Sequence, residues 1–172
     1  TNVLLHLVNG VLVFLLLKRL TGNKFVAWLT AALFLVHPVQ IESVVWISSR
    51  KGLLCSAFLL WAAIVRLRRE VTAKQDAWYI GLLIAALLSK ALAVVFPPIV
   101  LLYDLLIRRE KSAPAIARQI IPGLLSLLLL FYTASVQNTV LGGVRGHMDF
   151  SLLHIMAIDV TILWKYIGML CR

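Results

Sequence analysis

Residues 3–17 read VLLHLVNGVLVFLLL, an almost unbroken Leu/Val run, and are followed at once by Lys18-Arg19. An apolar stretch of this length ended by paired cations is the pattern of a helix that crosses a bilayer and stops at a phosphate-rich surface. The pattern recurs along the chain. Between Lys18 and Lys111 the basic residues fall almost wholly in three clusters, Lys18/Arg19/Lys24, Arg66–Lys74 and Arg108–Arg118, with apolar runs between them. Composition agrees: 62% of the 172 residues are hydrophobic and the mean hydropathy is +0.96, more than a soluble domain of this size can bury. The formal charge of +10 is therefore read as loops meeting anionic headgroups, and nucleic acid is excluded as a partner.

Working outward, the turn Thr21-Gly22-Asn23-Lys24 leads into a second apolar run, Phe25–Val36. Leu53–Val65, Trp78–Leu88, Ala91–Ile107 and Ile120–Ala134 follow, and Leu152–Leu170 is the last. With the three basic clusters on the cytoplasmic side, six crossings alternate, the first helix running inward from an external start. The expected fold is thus all-α, a polytopic transmembrane bundle of about six spanning helices plus an interfacial or seventh helix. A core about 30 Å thick asks for roughly 20 helical residues, so Phe25–Val36 and Trp78–Leu88 must tilt, reach into the interface or face protein. One bent helix over Trp78–Ile107 would put Lys74 and Arg108 on opposite sides. Two helices meeting near Ser89-Lys90 keep both inside and are the preferred reading. Gln137–Asp149, with Gly142, Gly143 and Gly146, reads as an external loop. In Leu152–Leu170, His154, Thr161 and Lys165 share one helical face, which suits an interfacial helix as well as a spanning one.

Thr1 lies inside a helix-like pattern and Arg172 closes no recognisable signal, so the chain reads as a single transmembrane domain, residues 1–172, cut from a longer protein. Cys55 and Cys171 give no disulfide or metal framework, and no P-loop, GxGxxG, HExxH or GxSxG is present.

Polar groups at membrane depth are costly, so each asks for a reason. Asn2, His6 and Asn9 lie on one face of the outer half of the first helix, where interhelical hydrogen bonding is the plain role and a wet cavity the functional one. The second helix ends externally in His37-Pro38-Val39-Gln40-Ile41-Glu42, and Glu42 is the sole acid before residue 70. His37 and Glu42, five apart with no third ligand nearby, are poorly spaced for a metal. A carboxylate that positions or deprotonates an acceptor hydroxyl fits Glu42 better; the alternative is a salt bridge with Arg50. Arg50-Lys51 and Lys90 are cations on the side where cations should be few. Together they suit a phosphate held at headgroup level; singly, each suits headgroup anchoring. Arg145, His147 and Asp149 form a further polar group in the glycine-rich loop. The five tryptophans, Trp28, Trp46, Trp61, Trp78 and Trp164, fall mostly near the expected interfaces.

The string LFLVHPVQIESVVW at residues 33–46, then Ser49-Arg50-Lys51, resembles the membrane region of polytopic proteins that carry tetratricopeptide repeats after it. These include bacterial members and the eukaryotic transmembrane and tetratricopeptide-repeat O-mannosyltransferases, whose membrane module is similar to the GT-C glycosyltransferase fold. The likeness continues in residues 6–9 (HLVN), 88–90 (LSK), Pro98, 101–104 (LLYD) and 163–166 (LWKY), and is good over 1–110 but thin beyond. It implies an enzyme that takes a sugar from a polyprenyl-phosphate carrier and passes it to a protein or glycan hydroxyl on the external or lumenal face. On that basis Glu42 and His37 would be catalytic, and Arg50, Lys51, Lys90, His6, Asn9 and Gln40 would bind substrate. Membrane lipids would be further partners. No cofactor is assigned, and use of a divalent metal is left open. The chain departs from the family pattern at Gly52 and Ala91, where the family often has an acid. The family's principal catalytic acid would lie upstream of Thr1, and the repeats beyond Arg172, so this piece alone should be inactive. The setting implied is the bacterial inner membrane, or the endoplasmic reticulum membrane in a eukaryote. Two alternatives stand: a non-catalytic membrane scaffold for a repeat domain, and a transporter segment whose His6/Asn9/Glu42 face lines a solute path.

Overall fold

The computed structural model describes residues 1–67, 72–109 and 112–140, together with positions 160, 161 and 164. The chain divides into two compact units, Thr1–Tyr132 and Thr133–Arg172. Among the described residues every regular element is helical.

The first helix, α1 (Asn2–Thr21), ends where Gly22 turns left-handed at φ 68°, its amide donating to the Lys18 carbonyl. Only glycine adopts that conformation without a steric cost, and Lys18 and Arg19 sit favourably against the negative end of the helix dipole. Asn23 then opens α2 (Lys24–Val36): its side-chain oxygen accepts from the amides of Phe25 and Val26. Pro38 disfavours the helical conformation for its predecessor, and His37, extended at φ −63°, ψ 129°, ends α2 there. A short α3 (Gln40–Val45) and a single 3₁₀ turn (Ile47–Ser49) lead into α4 (Arg50–Arg66).

Next, α5 (Ala73–Ser89) begins at a capping box in which Thr72 and Gln75 exchange side-chain and backbone hydrogen bonds. It stops at Lys90, which is fully extended at φ −157°, ψ 127°. A 3₁₀ segment (Ala91–Val95) and α6 (Phe96–Leu106) follow, with Pro97 and Pro98 in the first turn, where a missing N–H costs nothing. The stretch 78–107 is therefore two helices parted at Ser89-Lys90, the arrangement that the charge argument favours. Last comes α7 (Ser112–Val140), carrying Pro122 within it.

This helix corrects one expectation. Gln137–Val140, assigned to an external loop from the glycines that follow, continue α7; the glycines themselves lie outside the described residues. Arg145, His147, Asp149, His154, Lys165 and Cys171 lie outside them too. Of the last apolar stretch only Val160, Thr161 and Trp164 are described, as helical and exposed.

Side-chain contacts give the helix directions. Asn9 meets Leu53 and Ser56 near the start of α4, and Arg19 donates to the Ile64 carbonyl near its end, 2.7 Å away, so α1 and α4 run parallel. His6 meets Leu35, so α2 runs back against α1. Ala62 packs with Tyr79, Leu82 and Val100, and Cys55 with Leu83, Leu87 and Ala93. These contacts lay α5 antiparallel to α4 and bring α6 back parallel to it. Lys18, Arg19, Arg66, Lys74 and Arg108 consequently share one end of the unit, and the segment 37–51 and Lys90 share the other.

The exterior is far more apolar than that of a soluble protein, and several polar side chains lie among the apolar ones inside. Asn2, His6, Asn9, Arg66, Asp104, Gln119 and Ser126 are buried, while Leu4, Leu33, Leu102, Leu124 and Phe131 are each more than half exposed. An exterior this apolar is stable only if it meets something as apolar as itself. Three helical stretches, Asn2–Thr21, Ile47–Arg66 and Ala113–Thr133, are long and apolar enough to cross a membrane. Lys24–Val36 and Ala91–Leu106 are apolar but shorter.

Candidate functional site

At the end opposite the basic clusters, the start of α1 is tied to the segment that joins α3 to α4. The Asn2 side-chain amide donates to the carbonyls of Val44 (3.2 Å) and Trp46 (2.9 Å). Arg50 reaches back to the same place, donating from Nε to Asn2 Oδ1 at 3.4 Å and from its terminal nitrogen to Thr1 Oγ1 at 3.1 Å. The alternative of a Glu42–Arg50 salt bridge is not formed: Arg50 bonds these two polar groups of α1, and Glu42 forms no ion pair among the described residues.

His6 and Asn9, placed in a substrate path by the resemblance, sit inside the helix packing. The His6 Nε2 donates to the Leu35 carbonyl at 3.2 Å, its ring lies 5.3 Å from that of Phe34, and its buried Nδ1 has no partner. Asn9 is fully buried and donates to the Leu53 carbonyl (3.1 Å) and to Ser56 Oγ (2.9 Å). Next to it, Gly10 lets α2 approach closely: a Cβ there would stand 2.5 Å from Leu35 Cδ2 and 2.7 Å from its Cγ. Small and amide-bearing residues at such a contact are what hold membrane helices together where burying apolar surface gains nothing.

His37 is half-buried, and its Nδ1 accepts from the Val39 amide at 3.2 Å, closing the turn over Pro38. Gln40 is half-buried in the first turn of α3. Glu42, Arg50, Lys51 and Lys90 are exposed. Unlike Arg50, the side chains of Glu42, Lys51 and Lys90 make no hydrogen bond or ion pair with other described residues. The arrangement therefore offers one carboxylate and two uncommitted ammonium groups at the same end of the unit, with an anchored guanidinium among them. Among the described residues no three His, Cys, Asp or Glu side chains gather as a metal-binding set.

The other end holds a charged cluster that the sequence reading passed over. Arg66, taken there as a topological marker, is 5% exposed and donates to Asp104 Oδ2 at 2.7 Å. Asp104 is wholly buried; its second oxygen lies 3.5 Å from Arg108, one turn on, and Arg66 also approaches Asp76 at 3.6 Å. One layer away, the Tyr79 hydroxyl donates to Gln119 Oε1 at 3.1 Å, joining α5 to α7. The signal was available. Asp104 is the sole acid between Asp76 and Glu110, set in an apolar run, and an acid in that position needs a cationic partner. Arg66 is one such partner, reached across 38 residues of sequence.

Comparison of the chain with protein-family models, with curated proteins and with solved structures finds no match.

Proposed function

We propose that this chain is part of an integral membrane glycosyltransferase, in which it forms the external region that holds the phosphate of a polyprenyl-linked sugar donor. In this reading α1, α2, α4, α5, α6 with its preceding 3₁₀ segment, and α7 make six crossings of a GT-C-like bundle in a bacterial inner membrane. The two short helices span by tilting and by using the interface. The observation that carries the proposal is the exposure, without side-chain partners, of Lys51 and Lys90 at the end from which the three basic clusters are absent. Cations that neither pair with acids nor follow the cytoplasmic bias are explained by an anionic ligand at headgroup depth, and a phosphate is the group for which a lysine acts as a point charge.

Glu42, exposed and uncommitted, is the group available to orient or deprotonate an acceptor hydroxyl of a protein or glycan. His37 and Gln40 border it, with His37 shaping the turn. Arg50 contributes charge but is spent partly on holding α1, so its removal would confound binding with packing. The clean test is the double variant Lys51→Ala/Lys90→Ala in nanodiscs, titrated with a polyprenyl phosphate. Loss of most of the binding, with an unchanged helical circular-dichroism spectrum, is expected. Undiminished binding would remove the phosphate role. A transporter reading gains nothing from His6 and Asn9, since both are committed to helix contacts rather than lining a path.

A further inference from the structure

An apolar cavity of about 130 Å³ opens between α1, α4 and α6, at the end that carries the basic clusters. Leu16 and Leu20 form one wall, Ala63 and Leu67 a second, and Ile99 and Tyr103 a third. Arg66 also lines it. That side chain is 5% exposed, its terminal nitrogen is committed to Asp104, and its Nε–H is buried without a partner. A buried guanidinium donor without a partner, on a residue that lines an apolar slot, is an unmet hydrogen bond, costly in a low-dielectric setting. Something apolar along most of its length, with an acceptor oxygen at one end, would satisfy both surfaces.

We propose that this groove holds the carbonyl-proximal segment of one acyl chain of an anionic diacyl phospholipid from the leaflet at the basic end, with an ester carbonyl of that lipid accepting from Arg66 Nε–H. Depth and charge both favour this occupant. Ester carbonyls lie just below the phosphate, so a lipid whose carbonyl meets Arg66 carries its phosphate to the level of the cations beyond it. At this end Asp76 and Asp104 are paired with Arg66 and Arg108, whereas Lys18, Lys24 and Lys74 form no ion pair among the described residues. The uncompensated charge is positive, and it selects an anionic headgroup over a zwitterionic one.

The test is native mass spectrometry of the full chain released from nanodiscs of equimolar phosphatidylglycerol and phosphatidylcholine. One phosphatidylglycerol per chain is expected to survive delipidation, with a preference of about tenfold over phosphatidylcholine, the ratio one charge-assisted contact supplies. Ala63→Phe, which fills the slot, should abolish retention, whereas Val36→Phe, at an exposed position at the far end of the unit, should not. Arg66→Lys keeps a cation for Asp104 but removes Nε–H, and it should weaken retention of both lipids alike. Equal retention of the two lipids by the unaltered chain, or full retention by Ala63→Phe, would overturn the proposal. Should Ala63→Phe not fold, a phosphatidylglycerol with a mid-chain diazirine decides on the unaltered protein. Crosslinks concentrated on residues 16–20 and 99–103 support the site, and crosslinks spread evenly over the exposed faces of α2 and α7 overturn it.

Discussion

The two ends of the Thr1–Tyr132 unit treat charge in opposite ways. At one end Arg66 and Asp104 are buried against each other, with Asp76 and Arg108 close by. At the other, Glu42, Lys51 and Lys90 stand exposed and without side-chain partners, and only Arg50 is engaged. The buried acid at the first end is consumed in joining α4 to α6, while Lys18, Lys24 and Lys74 there form no ion pair among the described residues. Charge at the second contributes little to the fold and is free to meet a ligand. Substitutions at the two ends should therefore have effects of different kind as well as size.

The largest loss is expected at Asp104. Asp104→Ala leaves the buried Arg66 with only the more exposed Asp76, 3.6 Å away, as a counter-charge, which costs about 3–5 kcal/mol. The measurement is the unfolding midpoint in a denaturant titration in mixed micelles. Replacing both partners by apolar residues, Arg66→Met with Asp104→Leu, should recover most of that loss, because the desolvation of both charges is then avoided. A double variant as unstable as the single one would mean that the pair does more than neutralise itself.

Packing at the α1–α2 contact comes next. Gly10→Val would drive a side chain into Leu35 and should cost about 1–3 kcal/mol, the usual range for overpacking. Leu35→Ala introduced alongside should relieve part of it. A smaller effect belongs to Asn9→Ala: the lost bonds to Leu53 and Ser56 should cost about 0.6 kcal/mol, the average for such ties between membrane helices. Smallest of all, Lys51→Ala and Lys90→Ala should each shift stability by less than about 0.5 kcal/mol, as exposed substitutions do. A large destabilisation by either lysine variant would erase the contrast between the ends.

The helical class, the break at Ser89-Lys90 and the gathering of the basic clusters at one end were all legible in the sequence. They follow from hydropathy, backbone chemistry and the placement of charge, which are local properties. The turn at Gly22-Asn23 was legible for the same reason. The Arg66–Asp104 pair was not read. Its partners are far apart in sequence, and Arg66 stands in a basic run whose topological meaning masks a structural one. His6 and Asn9 show the converse: their shared helical face was evident, but only the contacts to Leu35, Leu53 and Ser56 say what that face meets. Gln137–Val140 were misplaced because Gln137, Asn138 and Thr139 are polar and precede glycines, a composition that suits a loop and a helix equally.

The account rests on the two ends facing opposite sides of a membrane, and single-cysteine labelling of the protein in sealed vesicles tests that directly. With Cys55 and Cys171 replaced by serine, cysteines introduced at Glu42 and Lys90 should react with a membrane-impermeant maleimide applied from outside. Cysteines at Lys18 and Lys74 should react only after the vesicles are opened. Labelling of positions 42 and 74 from the same side, or of 42 and 90 only from within, would contradict it.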